Sequence, residues 1–292
     1  MNAEPTLRAM RPDDGDLVYD IVVDAFTAAA PRARDVPMTH DDAQREANRL
    51  RVAHAVGHDP QGCWVAELDG VPVGVAMALV REDLWILSML MVRGEVQGQG
   101  VGRMLIDRAL AYADGRSKGL IAASHDPAGW RRYWAAGFRL TPAAMARGTV
   151  GREAIPAVEG VREGTAWDYE HCQDLGRRLR GAAHGPDLPF LAEQPGGRFW
   201  VSDRPGHAGF AVAFRGSPAL LAAESEDAAQ RLLWTVLAEA EEKVTFYFVT
   251  GAQQWAFDVS FRAGLAVRPG TGLFTRGDVG PLTPYLPNGP FL

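Results

Sequence analysis

A chain of 292 residues is long enough to bury about two domain-sized cores, and 47% hydrophobic with 23% charged residues is the balance of an ordinary globular protein. Its formal net charge of -6 excludes a general affinity for polyanions, so neither nucleic acid nor an anionic membrane is an expected partner. Only Cys63 and Cys172 are present, which excludes a disulfide framework and a cysteine-built zinc site; with no signal-peptide pattern and no apolar run of membrane-spanning length, the expectation is a cytoplasmic protein.

Along the chain, periods of 2 and 3.6 alternate. Thr6–Met10 reads as a strand running into a helix start at Arg11, Pro12, Asp13 and Asp14, and helical segments follow to about Val56. "CWVAELDG" and "PVGVAMALV" form a hairpin around Asp69 and Gly70. "LWILSMLMV" is apolar on both faces, as a doubly covered central strand must be. Beyond a glycine-rich stretch, Leu105, Ala109 and Tyr112 with Ile106, Leu110 and Ala113 recur at helical spacing. "GLIAAS" is a further strand, and "PAGWRRYWAAG" a further helix ending at Gly137.

The second half repeats this order. "RFWVSDRPG" and "GFAVAFRG" echo the hairpin, "PALLAA" the central strand, and Leu232, Leu233, Val236, Leu237 and Ala240 the amphipathic helix. A shift of 127 residues places Leu105 on Leu232, Leu110 on Leu237 and Gly137 on Gly264 without a gap, which marks an internal repeat. The linker falls in "RGTVGREAIPAVEGV", Arg147–Val161, where no period is kept.

The stretch "VRGEVQGQGVGRMLIDRAL", Val92–Leu110, spends Gly98, Gly100 and Gly102 where a helix begins. A helix N-terminus presents unpaired N–H groups and the positive end of the backbone dipole, and glycines let main-chain amides approach a phosphate where a Cβ would collide. A dinucleotide fingerprint needs glycine at position 103, where Arg103 stands, and a Walker A loop needs a lysine, of which Val92–Leu110 has none. What remains is Gln97-x-x-Gly100-x-Gly102 between a covered strand and a helix.

This pattern resembles the pyrophosphate signature of the GNAT acetyltransferase superfamily, including the Leu90-x-Val92 strand end that leads into it. Downstream, "DPAGWRRYWAAGF" supplies Asp126 in the place of the family's usual Asn, then Tyr133, Gly137 and Phe138; the opening "LRAMRPDD" is also similar to the family's start. The resemblance implies an α/β fold (an α+β mixed sheet) in two tandem GNAT-like domains, each a twisted, mixed, mostly antiparallel sheet flanked by helices. Residues 1–147 would form the acetyltransferase domain with the CoA site, and 148–292 a degenerate GNAT-like domain without the signature.

It also implies a mechanism with acetyl-CoA as cosubstrate and no metal. The thioester carbonyl would lie against Leu90, Met91 and Val92, and the pyrophosphate against Gln97, Gly98, Gln99, Gly100, Val101, Gly102 and Arg103, with Asp126 on the cofactor arm. A primary amine, from a small molecule or peptide, attacks the thioester directly, main-chain donors stabilise the tetrahedral oxyanion, and Tyr133 protonates the leaving thiolate. Asp126 departs from the pattern, because an ionised Asp only accepts hydrogen bonds. So does the base: Ser88 is the only polar side chain from Trp85 to Val92, and Ile121 stands where relatives carry a carboxylate, which leaves water, His125 or the Leu292 carboxylate. The competing readings are a CoA-binding module without catalysis, acting as sensor or assembly partner, and a nucleotide-dependent enzyme. The protein is expected to be a monomer or homodimer.

The same shift puts Glu224, Asp227 and Ala229 on Gln97, Gly100 and Gly102, and Ser260 on Tyr133. Carboxylates at a helix start capped by Ser225 stabilise the helix but repel a diphosphate, so the second half is not expected to bind the cofactor. Several other residues are read as structural: His54 and His58 lack a third ligand, Cys63 lacks an activating base, and Trp130, Trp134 and Trp255 fill core or groove. "RRLR", Arg177–Arg180, is expected to be a solvated helix face. Acceptor-pocket residues are expected in "PRARDVPMTH" and part of the second half.

Overall fold

The computed structural model describes residues 4–33, 38–202 and 206–292. They gather into two compact units: Met1–Val80, Trp85–Ser117 and Asp126–Arg132 in the first, and Arg81–Leu84, Lys118–His125 and Tyr133–Leu292 in the second. The segment "PRARDVPMTH" lies partly outside the described residues.

The first unit contains β1 (Thr6–Ala9), α1 (Gly15–Ala33), α2 (Asp42–His58), β2 (Cys63–Leu68), β3 (from Val71, ending at Arg81), β4 (Leu84–Val92) and α3 (Val101–Ala111). Its strands lie in the order β1-β2-β3-β4, and β2 pairs antiparallel with both β1 and β3. The hairpin turn follows from chemistry read in the sequence: Asp69 and Gly70 both take positive φ, 51° and 77°, as a turn matched to strand twist requires. Asp41 caps α2 by accepting from Gln44 N at 2.8 Å. Gly74 in β3 decides where α3 rests, since a Cβ there would lie 2.9 Å from Leu105 Cδ1 and 3.2 Å from Val101 Cγ1. The start of α3 is thereby pinned against the sheet.

The second unit contains β5 (Lys118–Ala123), the end of α4 (Pro127–Ala135), β6 (Arg139–Gly148), β7 (Arg162–Glu163), α5 (Tyr169–Arg180), α6 (Asp187–Glu193), β8 (Gly197–Ser202), β9 (Gly209–Phe214), β10 (Ser217–Ala223), α7 (Glu226–Ala238), β11 (Val244–Thr250), α8 (Gln254–Arg262), β12 (Ala266–Arg276) and β13 (Tyr285–Leu286). One sheet runs β13-β10-β9-β8-β7; the other strands run β5-β12-β6-β11, antiparallel throughout. The fold class is as expected from the sequence: mostly antiparallel sheets flanked by helices. The internal repeat is visible in the elements, because α4 and α8 have the same length and start 127 residues apart, and α3 and α7 end at that same separation.

The repeats exchange strands. β12, from the second repeat, lies between β5 and β6 of the first, while β6 pairs on its other side with β11. The boundary expected after Arg147 falls at the penultimate residue of β6, and the compact units are divided elsewhere. Hydrogen bonding of β6 to two strands of the other repeat ties the halves into shared sheet, which periodicity along one chain does not encode.

A polar cluster is buried in the second unit. Arg81 makes two 2.6 Å hydrogen bonds to the carboxylate of Asp187, with both side chains almost wholly buried. Arg180 is fully buried and donates to the carbonyls of Ala182, Ala183, Phe291 and Leu292. The expected solvated face therefore holds for Arg177 and Arg178, which pair with Glu82 and Glu224, but not for Arg180: Gly181, at φ 82°, ends α5 and the turn after it supplies two of the carbonyls that its guanidinium needs.

His184 is fully buried beside this cluster, stacked on Tyr285, and neither ring nitrogen has a partner among the described residues. Burial first, then the positive charges of Arg180 and Arg81, hold its pKa well below the usual imidazole value; Asp187, Glu82 and Tyr285 face the same guanidinium groups. The unfolded chain therefore binds a proton near pH 6.5 that the folded chain refuses, so stability is full above that pH and falls below it, at up to about 1.4 kcal/mol per pH unit. Urea midpoints between pH 7.5 and 5.5 should show this fall, and His184→Leu should remove this contribution to the slope.

Candidate functional site

The end of β4 and the start of α3 place most of the residues singled out in the sequence. Leu90, Met91 and Val92 are half-buried on the last turn of the strand, and Gln97 through Gly100 are exposed. Gly98 and Gly100 take φ of 88° and 91°, a left-handed conformation in which a Cβ is strained. Nothing lies within 4 Å of where a Cβ would be at either position, so backbone conformation and not crowding demands glycine there.

Hydrogen-bond accounting identifies the donors. Gln97 N donates to Gly94 O at 3.3 Å, Gln99 N to Val96 O at 3.4 Å, and Arg103 N and Met104 N both to Gly100 O, at 2.9 and 3.0 Å. The amides of Gly98, Gly100, Val101 and Gly102 have no partner among the described residues. Four donors at the positive end of a helix dipole, two on the exposed Gly98 and Gly100 and two on the buried Val101 and Gly102, have the character of an anion cradle. No carboxylate stands in the first turn of α3 to neutralise it.

The side chains around the loop brace it. Gln97 Nε2 donates to Val92 O at 3.0 Å, tying the loop to the strand end, and Gln99 Nε2 donates to Glu95 O at 3.3 Å. Arg93 N donates to Val73 O, and Gly94 N to Asp24 Oδ2, both at 2.9 Å. The Arg103 side chain is largely exposed and 3.7 Å from Asp107 one turn on. Asp126 accepts from Ala128 N at 3.1 Å and Gly129 N at 3.0 Å, which makes it the N-cap of α4, a role Asp fills as well as Asn. Ser88 Oγ, on β4, is buried without a partner among the described residues.

Tyr133 belongs to the second unit, where it is buried and meets Phe274 edge-on at 5.2 Å. His125 is exposed. Leu292 is fully buried, its carbonyl oxygen accepting from Arg180, and its amide donating to Asn288 O at 2.6 Å. These contacts tie the Leu292 backbone to Arg180 and Asn288 within the second unit.

The corresponding turn of the second repeat is built differently. Glu224 pairs with Arg178 at 2.8 Å, Asp227 with Arg231 at 2.9 Å and His207 at 3.2 Å, and Ser225 caps α7 through Ala228 N. Ser260, opposite Tyr133 in the repeat, is buried and donates to Ala256 O at 2.7 Å within its own helix. The acids there neutralise the helix start from within.

Other candidates fall to structural roles. The rings of His54 and His58 lie 4.4 Å apart, tilted by 42°, and no group of three potential metal ligands occurs among the described residues. Cys63 and Cys172 are both buried, and burial pushes the Cys172 thiol up, away from reactivity. Trp255 is buried in the core as expected, whereas Trp134, expected to fill core or groove, is largely exposed because its helix turns it to solvent. No helix among the described residues is long and apolar enough to cross a membrane.

The acetyltransferase (GNAT) family model matches residues 17–138. A Pyrococcus horikoshii protein assigned to the acetyltransferases shares the fold with a TM-score of 0.77 at 18% identity, over 96% of this chain and 92% of its own. A GCN5-related N-acetyltransferase from Sphaerobacter thermophilus gives 0.60 at 14% identity, covering 96% and 98%. A tandem GNAT protein from the clavulanic acid biosynthesis pathway gives 0.56 at 13%, covering 95% and 99%. No curated protein matches the chain. At these identities the structural likeness is one of fold. Residues 17–138 thus match the acetyltransferase (GNAT) family model, within a chain whose fold is similar to that of a tandem GNAT protein along nearly its whole length.

Proposed function

We propose that the protein is an acetyl-CoA-dependent N-acetyltransferase whose first repeat binds the cofactor and whose acceptor is a primary amine, on a small molecule or a peptide. The observation that carries this reading is the set of four unpartnered amides at Gly98, Gly100, Val101 and Gly102, held open by two left-handed glycines at a helix start without acids. A diphosphate matches such a cradle in charge and in hydrogen-bonding character. The end of β4, Leu90–Val92, receives the acyl arm. The acceptor nitrogen forms a bond to the thioester carbon as the carbon–sulfur bond breaks, with main-chain donors taking the developing negative charge. Tyr133 gives its hydroxyl proton to the departing sulfur. The proton lost by the amine passes to water or His125, as no carboxylate lines β4. The second repeat, with its helix start neutralised internally, shapes the acceptor side or an oligomer contact, and the protein works in the cytoplasm.

Kinetics across an amine panel test this. Tyr133→Phe should lower kcat by about 10²–10⁴ with little change in the KM for acetyl-CoA, since general-acid catalysis acts on the chemical step. Stabilisation by acetyl-CoA with background thiol release across the panel, unchanged in Tyr133→Phe, would establish a cofactor-binding module in place of an enzyme. Protection by ATP or NAD but not by CoA would overturn both readings.

A further inference from the structure

The helix pair α3 and α4 holds a feature that the loop signature does not include. A Cβ placed on Gly102 would lie 3.4 Å from Cζ and Nη1 of Arg132 and 3.5 Å from Cγ2 of Val92, so the Arg132 guanidinium rests directly against the first turn of α3. Arg132 is half-buried, and no carboxylate pairs with it among the described residues. A guanidinium against the positive end of a helix dipole is an unfavourable juxtaposition of like charge unless an anion joins them.

The internal repeat supplies a control. The positions equivalent to Gly102 and Arg132 are Ala229 and Val259, both essentially fully buried in one hydrophobic cluster. In the second repeat this place between the helices is closed by two apolar side chains; in the first, glycine opens it and arginine charges it. The change concerns two residues on two helices, and both alter in the direction that admits an anion.

Resting on the proposed cofactor reading, the geometry points to Arg132 as a second, side-chain anchor for the diphosphate, delivered from α4 to complete the amide cradle of α3. The diphosphate is then recognised by four neutral donors from one helix start and one full charge from the next helix. A charge-assisted hydrogen bond of this kind is worth about tenfold or more in affinity.

Calorimetric titration of the full chain with CoA, 3′-dephospho-CoA and pantetheine tests the assignment. Arg132→Ala should weaken CoA and dephospho-CoA alike by at least about tenfold, leave pantetheine unchanged, and not lower the melting temperature without ligand, while Arg132→Lys recovers part of the loss. Arg131→Ala, removing the exposed neighbour on the same helix, should change nothing. CoA affinity of Arg132→Ala within twofold of wild type overturns the anchor, and a loss confined to CoA reassigns Arg132 to the 3′-phosphate and overturns the diphosphate role. Failure of the wild-type chain to bind CoA at all would instead overturn the cofactor reading beneath it.

Discussion

Gly102→Asp should abolish acetyl-CoA binding and leave the fold standing. The added Cβ meets its neighbours at 3.4–3.5 Å, ordinary contact distances, so it can be accommodated without displacing the helix. The carboxylate then sits in the first turn of α3, where the helix dipole favours it, and within reach of Arg132. It becomes an internal competitor for the same donors that receive the diphosphate. Forfeiting two charge-assisted hydrogen bonds predicts affinity lower by about 100-fold or more. Melting temperature and circular dichroism should match wild type. The substitution would reproduce in the first repeat what Glu224, Glu226 and Asp227 do in the second, where acids hold the helix start closed. Affinity within threefold of wild type would show that the cradle is not at α3.

Asp187→Ala should be among the most destabilising single substitutions in the chain. Both members of the Arg81–Asp187 pair are at most 5% exposed in their side chains, and the contact is bidentate at 2.6 Å. Removing the carboxylate leaves a buried guanidinium without its compensating charge, which costs about 3–5 kcal/mol. Chemical denaturation should show the loss in midpoint. The double variant Arg81→Met/Asp187→Leu should regain most of it, because well-packed apolar residues replace a buried ion pair at little or no cost. A double variant as unstable as Asp187→Ala would assign the loss to shape and not to charge.

Much of the fold was legible because its signals are local. Asp69–Gly70 specify their turn by conformational preference, the apolar run of β4 specifies a covered strand, and the 127-residue repeat specifies that α7 and α8 restate α3 and α4. The loop was legible for the same reason: three glycines before an amphipathic helix have few other physical uses. What periodicity cannot carry is the choice of strand partner. The strand pattern of Ala266–Arg276 is evident, yet nothing local says that it pairs with β5 and β6 of the other repeat. Arg180 departs from the expected solvated face for a related reason, since a basic run on a helix is exposed by default and only the tertiary turn after Gly181 brings it carbonyls. Arg132 is marked in the sequence, since under the repeat it maps onto Val259 and so changes an apolar helix position to a charged one, but only tertiary packing sets it against Gly102.

The account stands on the amides at the start of α3. A crystal structure of the acetyl-CoA complex tests it most directly: the diphosphate oxygens should lie within about 2.7–3.2 Å of the nitrogens of Gly98, Gly100, Val101 and Gly102. A diphosphate bound at the start of α7, or anywhere that leaves those four amides without it, would contradict the account.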